Sequence, residues 1–270
     1  MKTALQIQRS LSVLLFSVCS VGAFAFSLDG LSPEEAGLAI AKEIDNRDDG
    51  FGDSTADLKM ILRNRNGDVT ERNIRNRILE VQDDGDKSIS IFDEPADVKG
   101  TVSLTYSHGL QPDDQWLFLP AVKRVKRINS KNKSGPFMGS EFAFEDIGSQ
   151  EVEKYTYKYV GEEACGTLKC YKSERYPAYE FSGYTKQIAW VDKDEFRPQK
   201  IEFYDRKGDL LKTLIYSDYE RFLDKYWRAH KMNVVNHQTG KSTDLEWNNY
   251  KFQNGLTDRD FDQRAMTSIR

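Results

Sequence analysis

The sequence predicts a mainly β protein, an antiparallel sandwich or barrel of roughly ten or more short strands that follow one helix. Two observations predict it. Apolar and polar residues alternate with a period of two in many short runs, which turn residues separate at fairly even spacing. One run near the N-terminus instead repeats its apolar residues every four positions, as an amphipathic helix does. Because composition does not change along the chain, residues 26–270 are expected to form a single domain.

The composition excludes several classes of protein. The chain has 270 residues, 39 Lys and Arg against 43 Asp and Glu, and a formal charge of −4. Its hydrophobic fraction of 39% and aromatic fraction of 12% are enough for a folded core, which excludes wholesale disorder. The mildly acidic balance argues against nucleic acid as the main partner. Beyond the N-terminus, mean hydropathy is too low for several membrane spans.

The first 25 residues have the pattern of a secretory signal peptide. Lys2 and Arg9 precede a mostly apolar stretch, Leu11–Val21, and Ala23–Ala25 fits a small-residue cleavage site. A retained anchor helix is the alternative, although the apolar stretch is short. Cys19 lacks the small preceding residue typical of lipoprotein processing. We therefore expect cleavage near Ala25 and an exported mature chain.

The first element of the mature chain is a helix. Ser32 is a typical N-cap, Pro33 occupies the first helical position, and Glu35 completes a capping box. Ala36, Ile40 and Ile44 then form an apolar stripe that must pack on something. Gly50 and the acidic residues before it end the helix.

Strands account for most of the remaining chain. The turns 66–67, 83–85, 207–208 and 239–240 separate many of them. Many strands are polar on one side, so the predicted sheet has one solvated face and one apolar face. A single helix is too small to cover the whole apolar face, so the sheet must curl on itself. The pattern favours a filled interior, with a cavity for an apolar ligand as the alternative. The predicted strands are 56–62, 69–81, 88–91, 101–106, 116–119, 122–128, 155–159, the segment leading to Tyr171, 185–191, 200–204, 210–216, 222–227, 231–237 and 243–252.

Cys165 and Cys170 lie on either side of a glycine turn. In an exported protein, this spacing is most simply a disulfide that closes a hairpin. The alternative is half of a zinc site, but no second cysteine pair supplies the other two ligands.

Motifs for catalysis are missing from the sequence, and we expect a protein that is not an enzyme and uses no cofactor. The three histidines are His108, His230 and His237, and the last two would point to opposite faces of a regular strand. We therefore predict no metal site. Glu141 and Glu145 could form an acid–base pair, but the pattern favours solvated carboxylates.

The most informative stretch is 114–147, where an aromatic strand precedes a basic one and then a loop. Lys123, Arg124, Lys126 and Arg127, with Lys131 and Lys133, form a basic hairpin in an acidic protein. This hairpin either attracts anionic head groups or an acidic partner, or is only a solvated face. The Gly- and Pro-containing loop that follows carries four large apolar side chains, which either enter the core or form a lid.

The runs Asp97–Gly100, Asp114–Ile128 and Lys133–Ile147 resemble the bacterial outer-membrane lipoprotein-sorting family related to LolA, in the branch associated with RND-type exporters. The resemblance covers most of the mature chain. It implies a LolA/LolB-like half-open β-barrel that binds acyl chains of a lipoprotein or lipid in the periplasm. By this resemblance, the residues that line the cavity or its lid are Trp116, Phe118, Phe137, Met138, Phe142 and Phe144.

The same resemblance implies partners as well as a ligand. Lys123, Arg124, Lys126 and Arg127 would contact lipid head groups, the membrane surface or an RND-type transporter. The cargo itself stays open. One alternative is an exported docking protein with a filled core, which binds a partner through the basic hairpin. A second is a secreted hydrolase with an unrecognised carboxylate pair.

Overall fold

The computed structural model describes residues 26–269, so the predicted signal peptide lies outside the described residues. This part of the chain contains one α-helix, thirteen strands and several short 3-10 turns. The helix α1 is Pro33–Asp48, and the strands are β1 Asp53–Arg63, β2 Val69–Leu79, β3 Lys87–Glu94, β4 Val102–Tyr106, β5 Asp114–Leu119, β6 Arg124–Arg127, β7 Tyr155–Cys165, β8 Leu168–Pro177, β9 Tyr184–Asp192, β10 Pro198–Asp205, β11 Leu210–Phe222, β12 Tyr226–Asn236 and β13 Ser242–Phe252.

All thirteen strands form a single antiparallel sheet. Its order is β6-β5-β4-β3-β2-β1-β13-β12-β11-β10-β9-β8-β7, so every sequential neighbour pairs except β6 with β7. The first and last strands pair in the middle, with Met60 opposite Leu245. The sheet therefore consists of a first meander, β1 to β6, and a second meander, β7 to β13, which are joined at its centre. It stays open because β6 and β7 are its two edges. This confirms the predicted mainly β, antiparallel class.

The larger core lies on one face of the sheet, here called the inner face. Leu58, Met60, Ile201, Leu214 and Val234 are buried there, although they come from strands far apart in sequence. Except at Met60, whose neighbour Ile61 is also buried, each alternates with exposed or half-buried neighbours, as period-two patterning requires. Apolar side chains from both meanders therefore pack together on the inner face.

Residues 128–154, here called the crossing segment, cover the middle of the inner face. They connect β6 to β7, which lie at opposite edges, so the connection has to cross the sheet. Gln115 of β5 donates to the Phe144 carbonyl at 2.8 Å, and the Glu141 amide donates to Thr243 of β13 at 3.0 Å. Its buried Phe137 packs beside Phe92 of β3 at 6.2 Å between ring centroids. The crossing segment thus fills much of the space that a curled sheet would otherwise enclose.

A second core lies on the opposite, outer face. Ile89, Ile91 and Leu104 of β3 and β4 are buried against Phe261 and Met266, which come from the C-terminal 3-10 turns. These turns, residues 258–267, are here called the C-terminal segment, and they cover the outer face at one end.

Helix α1 begins as the sequence predicts. Ser32 and Glu35 form a capping box, with the Glu35 amide donating to Ser32 Oγ at 3.3 Å. Ile40 packs against Tyr171 and Val191, which places the helix on the inner face of β8 and β9. At Gly37 a Cβ would lie 2.8 Å from the backbone nitrogen of Lys158, so only glycine allows this approach to β7.

Several predicted strands begin or end at other residues than the observed ones, and two of these differences have a local cause. The predicted strand 222–227 is wrong: β11 ends at Phe222 and β12 begins at Tyr226. Leu223 and Asp224 between them have positive φ values of 50° and 54°, which form a tight turn without the expected glycine. The predicted strand 122–128 is shorter, because the 3-10 turn Pro120–Val122 precedes β6.

The disulfide prediction is confirmed. Cys165 ends β7, Cys170 lies in β8, and the two are bonded across the turn with Cα atoms 6.0 Å apart. Cys170 is fully buried beside Ile188 and Trp190.

Replacing both cysteines by serine should lower the free energy of unfolding by about 2 kcal/mol, since the bond restricts a short loop in the unfolded chain. Urea unfolding with and without a reductant measures the difference. The reductant should destabilise the wild type and leave the double variant unchanged. Equal sensitivity of the two proteins would contradict the prediction.

Candidate functional site

A cleft of about 710 Å³ lies between α1 and the inner face of the second meander. The crossing segment does not fill this part of the inner face. Apolar residues of the helix and of the sheet opposite it line the cleft, among them Ile40, Ile44, Ala189, Val191 and Ile201. Ligand sites in proteins are cavities of roughly 300–1,000 Å³ that combine apolar walls with polar groups. The cleft has this size, and its lining combines apolar side chains with many acidic ones.

Acidic side chains surround the mouth of the cleft. Asp48 pairs with Arg228, and Asp84 lies 2.8 Å from His108, but Arg175 is the only Lys or Arg among the lining residues. The mouth therefore has a negative potential, which disfavours anions. The acidic residues that line the cleft are Asp45, Asp48, Asp49, Glu80, Asp83, Asp84, Asp86, Glu151 and Glu153.

The pKa of Asp86, one of these acidic residues, is strongly raised. Burial, together with the nearby carboxylates of Glu151, Glu80 and Asp48, raises its pKa from 3.8 to about 7, although the hydrogen bond from the Val81 amide acts in the opposite direction. Burial likewise raises the pKa of Asp45 and of Glu151. Several carboxyl groups at the mouth thus favour their protonated forms more than free carboxyl groups do.

Asp86→Asn should stabilise the protein at pH 8 by at most about 4 kcal/mol. The folded state holds a proton on Asp86 up to pH near 7, whereas the unfolded chain releases it near 3.8. Ionisation of Asp86 therefore costs stability as the pH rises between these values, and asparagine removes that cost. Denaturant unfolding of both proteins from pH 4 to pH 8 measures the difference between their free energies of unfolding, which should approach zero near pH 4. A difference in the free energy of unfolding that does not change with pH would contradict the prediction.

Comparisons with known proteins identify the fold. Residues 84–268 match a family described as "Uncharacterized protein". A putative outer membrane lipoprotein-sorting protein domain from Vibrio parahaemolyticus is 52% identical, with a TM-score of 0.85, over 87% of this chain and 99% of that one. A DUF1329 family protein from Desulfovibrio piger is 34% identical, with a TM-score of 0.83, over 87% and 99%. The chain belongs to the DUF1329 family.

A more distant neighbour shows the fold class to which this DUF1329 protein is related. A LolA superfamily protein from Nitrosomonas europaea is 22% identical, with a TM-score of 0.67, over 84% of this chain and 98% of that one. The predicted LolA-like architecture is therefore confirmed at the level of the fold. No curated protein matches the chain.

The DUF1329 fold brings together four of the six predicted cavity or lid residues. Phe137 and Phe142 are buried in the inner core, with Met138 and Phe144 packed against it. The rings of Phe137 and Phe144 meet edge to face at 5.4 Å. These side chains belong to the crossing segment and pack on the inner face of the sheet, and they do not line the cleft.

Trp116 and Phe118 lie elsewhere. Both belong to β5 and pack on the outer core, where Trp116 meets Tyr106 edge to face at 5.0 Å. The C-terminal segment covers them, since the Tyr106 hydroxyl donates to the Phe261 carbonyl at 2.6 Å. The fold thus separates these two residues from the other four. That any of the six contacts a ligand stays a prediction.

The basic hairpin is exposed on the edge strand. Lys123, Arg124, Lys126 and Arg127 all face solvent on or beside β6. Arg127 pairs with Asp114 of β5, and no ion pair is present for the other three within residues 26–269. Their role in docking stays a prediction.

Glu145 corrects the expectation of solvated carboxylates. It is 7% exposed, and it accepts hydrogen bonds from the Gly183 amide at 2.8 Å and from the Ser182 hydroxyl at 2.8 Å. Burial raises its pKa, and these donors lower it. Glu145 therefore anchors the crossing segment to the loop before β9.

Sequence reasoning missed the residues that form the cleft. Gly37 and Ala41 of α1 line it beside the recognised stripe residues Ile40 and Ile44. The stripe indicated that the helix packs on the sheet, but a sequence pattern does not reveal where packing leaves space. Within residues 26–269, no group of three or more His, Cys, Asp or Glu side chains is arranged to hold a metal ion. No helix in the same range has both the length and the apolar character to cross a membrane.

Proposed function

We propose that the protein is a periplasmic carrier, which binds the acyl chains of a lipoprotein or lipid in the cleft and passes them toward the outer membrane. An RND-type transporter is the proposed partner that supplies energy for the transfer. The carrier itself is proposed to act without catalysis.

The cleft is the observation that supports this proposal. Transfer of an acyl chain through water is unfavourable by about 0.8 kcal/mol for each exposed methylene group. A carrier must therefore offer apolar surface that can be reached from solvent. The cleft provides it, because Ile40, Ile44, Ala189 and Ile201 line a space that opens beside α1.

The 52% identical neighbour supports the cargo class and the compartment. That protein is described as a putative outer membrane lipoprotein-sorting protein domain. Cargo of that kind moves between the two membranes, so this proposal places the present chain in the periplasm.

Lipid analysis of the purified protein tests the proposal. The protein is isolated from periplasm under mild conditions and extracted with solvent, and acyl species are measured by mass spectrometry. A fluorescent fatty-acyl probe is then titrated into delipidated protein. We expect acyl species in the extract and saturable probe binding. Absence of both would reject the carrier, and hydrolysed lipid after long incubation would instead indicate a hydrolase.

The exposed edge strand favours a second candidate function, docking through the basic hairpin. Reversing the charges of Lys123, Arg124, Lys126 and Arg127 should abolish binding to vesicles that contain phosphatidylglycerol, and should remove the salt dependence of that binding. The protein should remain folded, because these side chains are exposed.

A control variant separates this effect from net charge. Reversing four exposed cations elsewhere, at Arg65, Lys207, Lys241 and Lys251, changes the net charge by the same amount. If both variants lose vesicle binding equally, the hairpin has no specific role.

A further inference from the structure

The floor of the cleft contains polar groups whose hydrogen-bonding capacity the protein does not use. Ser173 of β8 lines the cleft and is 7% exposed, and its Oγ has no hydrogen-bond partner among the described residues. Tyr216 of β11 also lines the cleft, and no hydrogen bond of its hydroxyl is present within residues 26–269. Buried donors without partners are uncommon in native proteins.

Arg175 lies two residues after Ser173 on the same strand, and therefore on the same face. Its Nε donates to Oε1 of Gln187 at 2.6 Å, and its guanidinium lies over the Tyr155 ring at 4.8 Å from the centroid. In the described part of the chain, no carboxylate lies within ion-pair distance of this guanidinium. Its terminal nitrogens therefore have N–H groups available toward the cleft.

These donors would pair with a hydrogen-bond acceptor of the ligand. An ester carbonyl, an amide carbonyl and a carboxylate are the acceptors that an acyl chain can bring. The acidic mouth discriminates among them, since the cleft is lined by nine carboxylate residues and one arginine. A free carboxylate would add a negative charge to a region already unfavourable for anions, whereas a neutral carbonyl would not.

We infer that the cleft recognises an acyl ester or amide whose head group is not anionic, with its carbonyl oxygen accepting hydrogen bonds from Ser173 and Arg175. This inference rests on the proposed carrier function and names its ligand chemistry. Tyr216, on β11, supplies a third donor that lines the cleft, and burial raises the pKa of its hydroxyl to about 12, so it stays protonated.

Matched ligands test this inference. A monoacylglycerol and the alkyl ether of glycerol with the same chain length differ in the ester carbonyl, and the free fatty acid carries the anionic head. Displacement of a fluorescent acyl probe from delipidated protein gives the three affinities. We expect the acylglycerol to bind about tenfold more tightly than the ether, as a hydrogen bond to a charged donor predicts. The fatty acid should bind more weakly than the acylglycerol at pH 8.

Variants assign the preference to these side chains. Ser173→Ala and Arg175→Gln should bind the acylglycerol and the ether about equally, with the affinity for the ether unchanged. Arg65→Gln, in the exposed turn between β1 and β2 and outside the cleft, is the matched control and should keep the wild-type preference.

Each outcome has a distinct meaning. If wild-type protein binds the ester and the ether equally, the carbonyl site is rejected and the carrier function stands. If the fatty acid binds most tightly, the site takes a carboxylate and the neutral head group is rejected. Should no ligand displace the probe, or should the probe itself not bind, the carrier function fails, and the carbonyl site fails with it.

Discussion

Ala41→Trp is expected to lower the affinity for an acyl probe by about tenfold or more, a loss of at least roughly 1.4 kcal/mol of binding free energy. Ala41 is a half-buried residue of α1 that lines the cleft between the helix and the sheet. An indole at this position would occupy space that the ligand requires, without replacing a packed core side chain. Titration of the fluorescent probe into the folded variant measures the change.

Ala39→Trp is the matched control. Ala39 is also half-buried in α1, but it does not line the cleft. The same substitution there has the same helix propensity cost and should leave probe affinity within about twofold of wild type. Equal losses in the two variants would show that the helix, and not the cleft, controls binding.

Lys212→Met should lower the free energy of unfolding by about 3–5 kcal/mol. The Lys212 Nζ lies 2.6 Å from Asp146 of the crossing segment, with side chains 4% and 9% exposed. It also donates to the Glu141 carbonyl at 2.8 Å. Methionine would leave the Asp146 carboxylate buried without its cation, although the Tyr184 hydroxyl at 3.0 Å would still donate to it. Denaturant unfolding measures the change.

Two further variants define the origin of that loss. Lys59→Met removes the exposed pair with Glu71, whose side chains are 38% and 53% exposed, and should cost less than about 1 kcal/mol. Combining Lys212→Met with Asp146→Asn should recover part of the loss, because the uncompensated charge is then gone. Similar costs for Lys212→Met and Lys59→Met would mean that the buried pair does not hold the crossing segment on the sheet.

The sequence predicts the fold class because its signals are local. Period-two alternation identified most strands, and Ser32, Pro33 and Glu35 located the start of α1. The strand 222–227 was mispredicted because the turn at Leu223 and Asp224 uses left-handed backbone without glycine, which leaves no sequence signal.

The candidate site could not be predicted in the same way, because it depends on which face each strand presents and on what covers that face. Phe118 and Phe137 lie close in sequence and are both aromatic, yet they pack on opposite faces of the sheet. The crossing segment reaches the inner face only because β6 and β7 are opposite edges, a consequence of strand order. Alternation gives the spacing of side chains but not the strand order.

The pairing of β1 with β13 has a consequence for how the chain reaches its native state. Ser54 lies opposite Phe252, so the two strands that pair at the middle of the sheet are separated in sequence by most of the described residues. Contacts between such distant segments slow folding, because a large loop must close first. During synthesis, the first meander can form hairpins early but leaves the edge of β1 unpaired until the last strand emerges. Exposed strand edges can form hydrogen bonds with the strands of other chains. We therefore expect a molecule truncated before β13 to aggregate and not to persist as a smaller domain.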